Sequence, residues 1–97
     1  MKVEKVKITE VGPRDGFQSE RTILKTEDKI DVINNLIDAG FQWIEASSFV
    51  SPKAIPQLAD AATILENVKR NPKTTLAALV PNTKGALRAV EAKLDEI

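Results

Sequence analysis

Val6-Lys7-Ile8-Thr9-Glu10-Val11-Gly12-Pro13-Arg14-Asp15-Gly16-Phe17-Gln18 joins a strand pattern to a charged turn. Val6 and Ile8 alternate with Lys5, Lys7 and Thr9, which predicts a strand over Val3 to Val11. Gly12, Pro13 and Gly16 then punctuate the chain and open a long loop that runs to Lys25. A turn has no need of Arg14 beside Asp15. Metal-assisted chemistry on an anion uses both, one side chain meeting a substrate oxyanion and the other holding a cation. The plainer alternative is a surface ion pair in a glycine-rich loop, and such pairs contribute little. Neighbouring side chains on an extended backbone point apart, so separate duties are expected of Arg14 and Asp15.

The plan of strand, loop and helix recurs downstream. Thr26 is a candidate N-cap, with Glu27 and Asp28 complementing the helix dipole. Ile30, Ile33, Leu36 and Ile37 form one apolar face, and Gly40 suits the residue just past the helix end. A second strand is expected over Phe41 to Ser47, followed by the loop Ser47 to Lys53. Pro56 fits the first turn of a second helix. Leu58, Ala61, Ala62, Leu65 and Val68 would be its buried stripe, and Asn71-Pro72 its stop. The third strand is expected over Thr75 to Val80, a continuous apolar run suited to cover on both faces. Pro81-Asn82-Thr83 reads as a turn with a cap. A third helix then spans about Lys84 to Leu94, with Leu87, Val90 and Leu94 in phase.

Strand starts recur roughly every 35 residues, the size of one βα unit in a (β/α)8 barrel of about 250 residues. A doubly wound sheet is the alternative. Both put function at the C-terminal ends of strands, where Arg14, Asp15, Ser47, Ser48 and Asn82 fall. The fold class expected is α/β: the N-terminal three βα units of a TIM barrel, incomplete, with a strand edge open on each side. Residues 1–97 are thus expected to be the opening part of a longer catalytic domain rather than an autonomous one.

Composition narrows the function. The 97 residues are 42% hydrophobic and 29% charged, the balance of a soluble globular chain. Basic and acidic side chains cancel, which argues against a nucleic-acid footprint or a polybasic membrane anchor. Without cysteine or histidine, thiol nucleophiles and zinc-thiolate sites are excluded, and any metal bound by this chain takes oxygen ligands. Charged residues from Met1 to Lys7 do not form a signal or transit peptide, so a cytoplasmic domain is expected.

Glu45 interrupts Trp43-Ile44-Ala46 in a strand that should be mostly buried. Buried carboxylates are rare unless paired or bound to a cation. Glu45 either lies solvated near the strand end or points into the barrel mouth and orients Arg14 across neighbouring strands. Ser47, Ser48 and Asn82 read first as caps and turn formers, and Gln18 as a polar loop residue. Lys53, Asn71 and Lys84 carry no signal above background.

Glu10 to Gln18, then Ile44-Glu45-Ala46-Ser47-Ser48-Phe49-Val50-Ser51-Pro52-Lys53, then Leu79-Val80-Pro81-Asn82 resemble the N-terminal part of the hydroxymethylglutaryl-CoA lyase family. That family belongs to a superfamily of metal-dependent TIM-barrel lyases and Claisen-type synthases. The first motif indicates the superfamily. The Ser-Phe-Val-Ser-Pro-Lys segment, with Pro56-Gln57 after it, points to the lyases. The resemblance implies an acyl-CoA substrate, 3-hydroxy-3-methylglutaryl-CoA, split into acetyl-CoA and acetoacetate. It implies a divalent cation, Mg2+ or Mn2+, at the barrel mouth, and a homodimer for the full-length protein. Asp15 matches the first-strand metal ligand, and Arg14 the residue that meets the thioester carbonyl and the enolate formed from it. Glu45 matches a carboxylate that supports this Arg, while Ser48 and Gln18 match polar residues near substrate or metal. The family's histidines, late asparagine and mobile-loop cysteine have no counterpart here, so this stretch alone is expected to be inactive. Two other readings stand beside it. One is condensation of acetyl-CoA with a 2-oxo acid, disfavoured because those synthases carry Asp-x-Thr-Leu-Arg-Asp-Gly at the first motif. The other is a non-catalytic assembly module that pairs its open edges.

Overall fold

The computed structural model describes residues 8–19, 21–51 and 53–95. The expected strand over Val3 to Val11 falls largely outside them, as does Pro52. Strand β1 (Thr9–Glu10) is followed by α1 (Thr26–Asp38), β2 (Trp43–Ser48), α2 (Ala61–Asn67), β3 (Thr75–Leu79) and α3 (Thr83–Glu91). The strands are parallel and lie in the order β1-β2-β3. Ile44 and Ala46 of β2 and Leu76 and Ala78 of β3 share one core with Ile33, Ile37, Ala61, Ile64, Leu65 and Ala89. All three helices therefore cover the same face of the sheet, as in a barrel, whereas a doubly wound sheet carries helices on both faces. The fold is α/β: three consecutive βα units of an unclosed barrel.

Helix α1 ends as its sequence predicts. Gly40 has φ +95°, its N–H donates to Ile37 O at 3.1 Å, and the Phe41 N–H donates to Leu36 O at 3.3 Å. This is a Schellman closure, and the left-handed position explains the glycine. The start of α1 differs. Lys25 is the N-cap, and the Thr26 hydroxyl donates instead to Asp60 Oδ2 at 2.6 Å. Lys29 lines up with Ile33 and Ile37 on the deepest ridge and is only 1% exposed. Its ammonium donates to Gln57 O at 2.5 Å and to Asp60 Oδ1 at 2.9 Å. A buried charge persists only when so paired.

The second helical region breaks in two. Pro56–Leu58 forms a separate 3-10 turn before α2, which ends at Asn67, ahead of the expected stop at Asn71-Pro72. Leu58, Ala61, Leu65 and Val68 are buried as expected, Ile64 joins them, and Ala62 is half-buried. Strand β3 is covered on one face only among the described residues: Leu76 and Ala78 are buried, while Leu79 is exposed on the other side. Its apolar run thus overstates its cover here, because the second face looks into what would be the barrel interior. At the outer edge of β3, Asp95 Oδ2 accepts from the Leu76 N–H at 2.9 Å and the Asp95 N–H donates to Leu76 O at 3.1 Å.

Helix α3 overturns most of the expected face; of Leu87, Val90 and Leu94, only Leu94, past the helix end at Glu91, packs against the core. Leu87 and Val90 are 62% and 71% exposed, and the buried line is Gly85, Ala89 and Ala92. A Cβ on Gly85 would lie 2.5 Å from Phe49 O, so the helix comes too close for larger residues on that side. Small residues win the inner face because they permit the approach, and the larger apolar residues turn outward.

The Lys29–Asp60 pair predicts a stability order in the protein carrying this sequence. Asp60→Asn leaves a buried ammonium without its counter-charge and should destabilise by roughly 3 kcal/mol. Lys29→Met, which removes the buried charge, should cost distinctly less. Urea unfolding midpoints of the two variants check this, and a reversed order would refute it.

Candidate active site

The charged motif does not form the expected open loop. After β1, Gly12–Gly16 winds into a single π-helical turn with Pro13 in its first positions, and Phe17 and Gln18 continue it as helix. The Asp15 N–H donates to Val11 O at 2.7 Å, and the Ser19 N–H to Asp15 O at 3.2 Å. This coiling changes the relation between Arg14 and Asp15. An extended backbone would splay them, but on the turn Arg14 Nη1 lies 3.7 Å from Asp15 Oδ1. The expected splaying holds for a strand-like backbone, and the backbone here is wound.

The stronger partner of Arg14 comes from the next strand. Arg14 Nε donates to Glu45 Oε1 at 2.5 Å, with the two side chains 23% and 19% exposed. Glu45 is therefore not a solvated strand-end carboxylate. It grips the guanidinium by its inner nitrogen, across the β1–β2 junction. A charge-assisted bond of this kind is worth about 1.5–3 kcal/mol. The Asp15 contact is longer, and Asp15 is 67% exposed, a setting in which ion pairs are worth under about 1 kcal/mol. Arg14 is thus fixed by one carboxylate and merely neighboured by another.

Ser48 reaches the same side as Glu45 through an irregularity. Glu45 pairs with Ala77, Ser47 with Ala78 and Ser48 with Leu79, so Ala46 is the extra residue of a β-bulge. Strict alternation would put Ser47 on the face of Glu45. The bulge instead sends Ser47 to the helix-covered face with Ala78, and brings Ser48 beside Glu45 with Leu79. The Ser48 hydroxyl donates to Leu79 O at 3.3 Å. Ser47 Oγ is fully buried with no hydrogen-bond partner among the described residues.

Gln18 is half-buried, and among the described residues no hydrogen bond joins it to the Arg14–Glu45 pair. Phe17 lies with its ring centroid 5.9 Å from Lys29 Nζ, which ties the turn to α1. Asn82 is the N-cap of α3, its Oδ1 accepting from the Gly85 N–H at 2.8 Å, as its capping reading predicts. A depression of about 480 Å3 involves Arg70, Thr75 and Asp95 at the N-terminal end of β3. It is at the far end of the sheet from Arg14 and Glu45, where barrels carry stability rather than chemistry.

Among the described residues no group of three or more acidic, His or Cys side chains converges to hold a metal. Asp15 offers one open carboxylate, the hard-oxygen donor that Mg2+ or Mn2+ accepts. The residues present fit one ligand of such a site and not the whole of it.

A family model described as HMGL-like matches residues 5–97. The chain belongs to the HMGL-like family. Mitochondrial hydroxymethylglutaryl-CoA lyase of Macaca fascicularis is 49% identical over 94 residues, which are 97% of this HMGL-like chain and 29% of that protein. A Pseudomonas aeruginosa enzyme named 3-hydroxy-3-isohexenylglutaryl-CoA/hydroxymethylglutaryl-CoA lyase is 44% identical over 97% of the chain and 31% of its own length. Among solved structures, the HMG-CoA lyase of Brucella melitensis superposes with a TM-score of 0.92 at 46% identity, covering 98% of this chain and 34% of that one. An HMG-CoA lyase of A. baumannii, solved with coenzyme A and 3-methylmalate, gives 0.86 at 53% identity over 88% of this chain and 28% of that one. The chain thus spans about a third of the length of these HMGL-like relatives.

The orphaned hydroxyl carries a prediction. Ser47→Ala removes a buried polar group that has no partner among the described residues, and should stabilise the protein by about 1 kcal/mol. Thermal unfolding measures this, and a loss of similar size would mean that Ser47 is bonded in solution.

Proposed function

We propose that these residues are the N-terminal three βα units of a TIM-barrel carbon–carbon lyase that cleaves 3-hydroxy-3-methylglutaryl-CoA to acetyl-CoA and acetoacetate. The observation that carries this reading is Arg14 held by Glu45 at the strand C-termini, with the open Asp15 carboxylate beside it. The similarity to hydroxymethylglutaryl-CoA lyases supports it over condensation chemistry. The remaining barrel units and site residues belong to the rest of the protein. Balanced charge favours a small acyl-CoA substrate over nucleic acid or a membrane surface. We extend the reading to a cytoplasmic homodimer. Among the described residues, no helix is long and apolar enough to cross a membrane.

The chemistry needs two things from the protein. The tertiary hydroxyl loses its proton and becomes the acetoacetate carbonyl as the C–C bond breaks. The bonding pair moves onto the acetyl-CoA half as an enolate, which is then protonated at carbon. Arg14 serves the enolate. Its Nε is committed to Glu45, so the two outer nitrogens remain in a fixed plane to donate to the developing oxyanion. A lysine would lack this fork. Asp15 would hold a divalent cation, Mg2+ or Mn2+, together with ligands from elsewhere in the protein. Bound there, the cation supplies Lewis acidity toward the hydroxyl. Ser48, on the face of Glu45, and Gln18, after the turn, would contact substrate.

Two variants of the intact protein test these roles. Arg14→Gln should lower turnover about a thousand-fold while the fold persists, the scale of a lost oxyanion donor. Near-normal turnover would end the assignment. Asp15→Ala should raise the Mg2+ concentration needed for half-maximal activity by at least roughly tenfold. An unchanged metal titration would remove Asp15 from the metal shell.

A further inference from the structure

A second cavity opens at the same end of the sheet as Arg14 and Glu45. It measures about 230 Å3 and is lined by Phe49, Ser51, Asn82, Lys84, Gly85 and Arg88. Phe49 directly follows β2, and its N–H donates to Leu79 O at 2.8 Å, so the cavity floor extends the sheet at its C-terminal edge. Lys84, Gly85 and Arg88 lie on one face of α3. The close approach of Gly85 to Phe49 O fixes that face against the floor and sets the width of the cavity.

Its charge is one-sided. Two cations line it, and no carboxylate among the described residues does. Arg88 lays its guanidinium over the buried Phe49 ring, 5.5 Å from the centroid. Stacking orients the guanidinium through its face and leaves its in-plane N–H donors available. Paired in-plane donors match phosphate oxygens, and Lys84 adds a point charge. Asn82 spends its amide oxygen on Gly85, and among the described residues its NH2 and the Ser51 hydroxyl are left to donate. The volume is below the roughly 300–1,000 Å3 that encloses a whole small ligand. It suits the phosphate portion of something larger that lies across the mouth.

We infer that this cavity binds a phosphate group of the coenzyme A half of the substrate, an inference that rests on the acyl-CoA reading above. The test compares one acyl group carried on coenzyme A with the same group carried on pantetheine, which has no phosphate. In the intact protein, Arg88→Gln, alone and with Lys84→Gln, should lower kcat/KM for the CoA thioester about tenfold relative to the pantetheine thioester. Inorganic pyrophosphate should compete with the CoA thioester in the wild type and compete less well in the variants. Equal losses on both thioesters, or no loss on either, would overturn the inference. Shifts of the Phe49 and Gly85 amides with inorganic phosphate, without an effect on CoA selectivity, would mark an unrelated anion site and overturn it equally. If the wild-type protein cleaves neither thioester, the lyase reading fails by itself. The cavity is then judged on binding: coenzyme A, but not pantetheine, must shift the Phe49 and Gly85 amides in the wild type and leave them in place in Arg88→Gln.

Discussion

Arg14 Nε and Glu45 Oε1 meet at 2.5 Å across the junction of the first two strands. That bond needs three things at once. The backbone after β1 must coil so that Arg14 turns toward β2. Glu45 must sit on the face of β2 that the helices do not cover, because Ile44 and Ala46 occupy the other. The strands must also be parallel neighbours, with Glu10 beside Ile44, so that the turn leaving β1 passes over Glu45. Helix packing on one face thus decides which residues are free to act on the other.

Much of this was readable from local pattern. Helix ends are set by interactions within a few residues, so Gly40 and Asn82 sit where their types say they should. Glu45 was legible because a carboxylate in an apolar strand demands a counter-charge, and Arg14 is the cation of the motif at the adjacent strand end. The misreadings share a cause: they depended on the third dimension. Leu87 and Val90 are in helical phase, but phase cannot say which stripe lies inward, and the approach of Gly85 to Phe49 O settles it for the small residues. Lys29 looks like a surface residue until Gln57 and Asp60 arrive from the next unit. The contact between Arg14 and Asp15 was hidden because glycine and proline announce a turn without stating its winding. Among the site candidates, Ser48 rested on resemblance, since strand alternation alone favours Ser47. Lys84 and Arg88 gave no sign in sequence, because a cavity between a loop and a helix has no periodicity.

The two ends of the sheet divide their labour. At the N-terminal end of β3, Asp95 satisfies the backbone of Leu76 and pairs with Arg70 at 3.5 Å, so charges there close local structure. At the C-terminal end, Arg14 is half engaged and Arg88 rests on a ring, leaving donors aimed outward. The same residue types serve architecture at one end and recognition at the other.

The extra residue at Ala46 also limits how this segment can vary over generations. Straightening the strand without losing a residue would shift the pairing by one, and every side chain beyond Ala46 would exchange faces. One hydroxyl would still stand beside Glu45, because Ser47 would move in as Ser48 moved away. Phe49, however, would turn from the core toward the mouth. The doubled serine therefore tolerates a slip that the neighbouring phenylalanine does not. The bulge in β2 is held by the core anchor at Phe49 rather than by the site residues themselves.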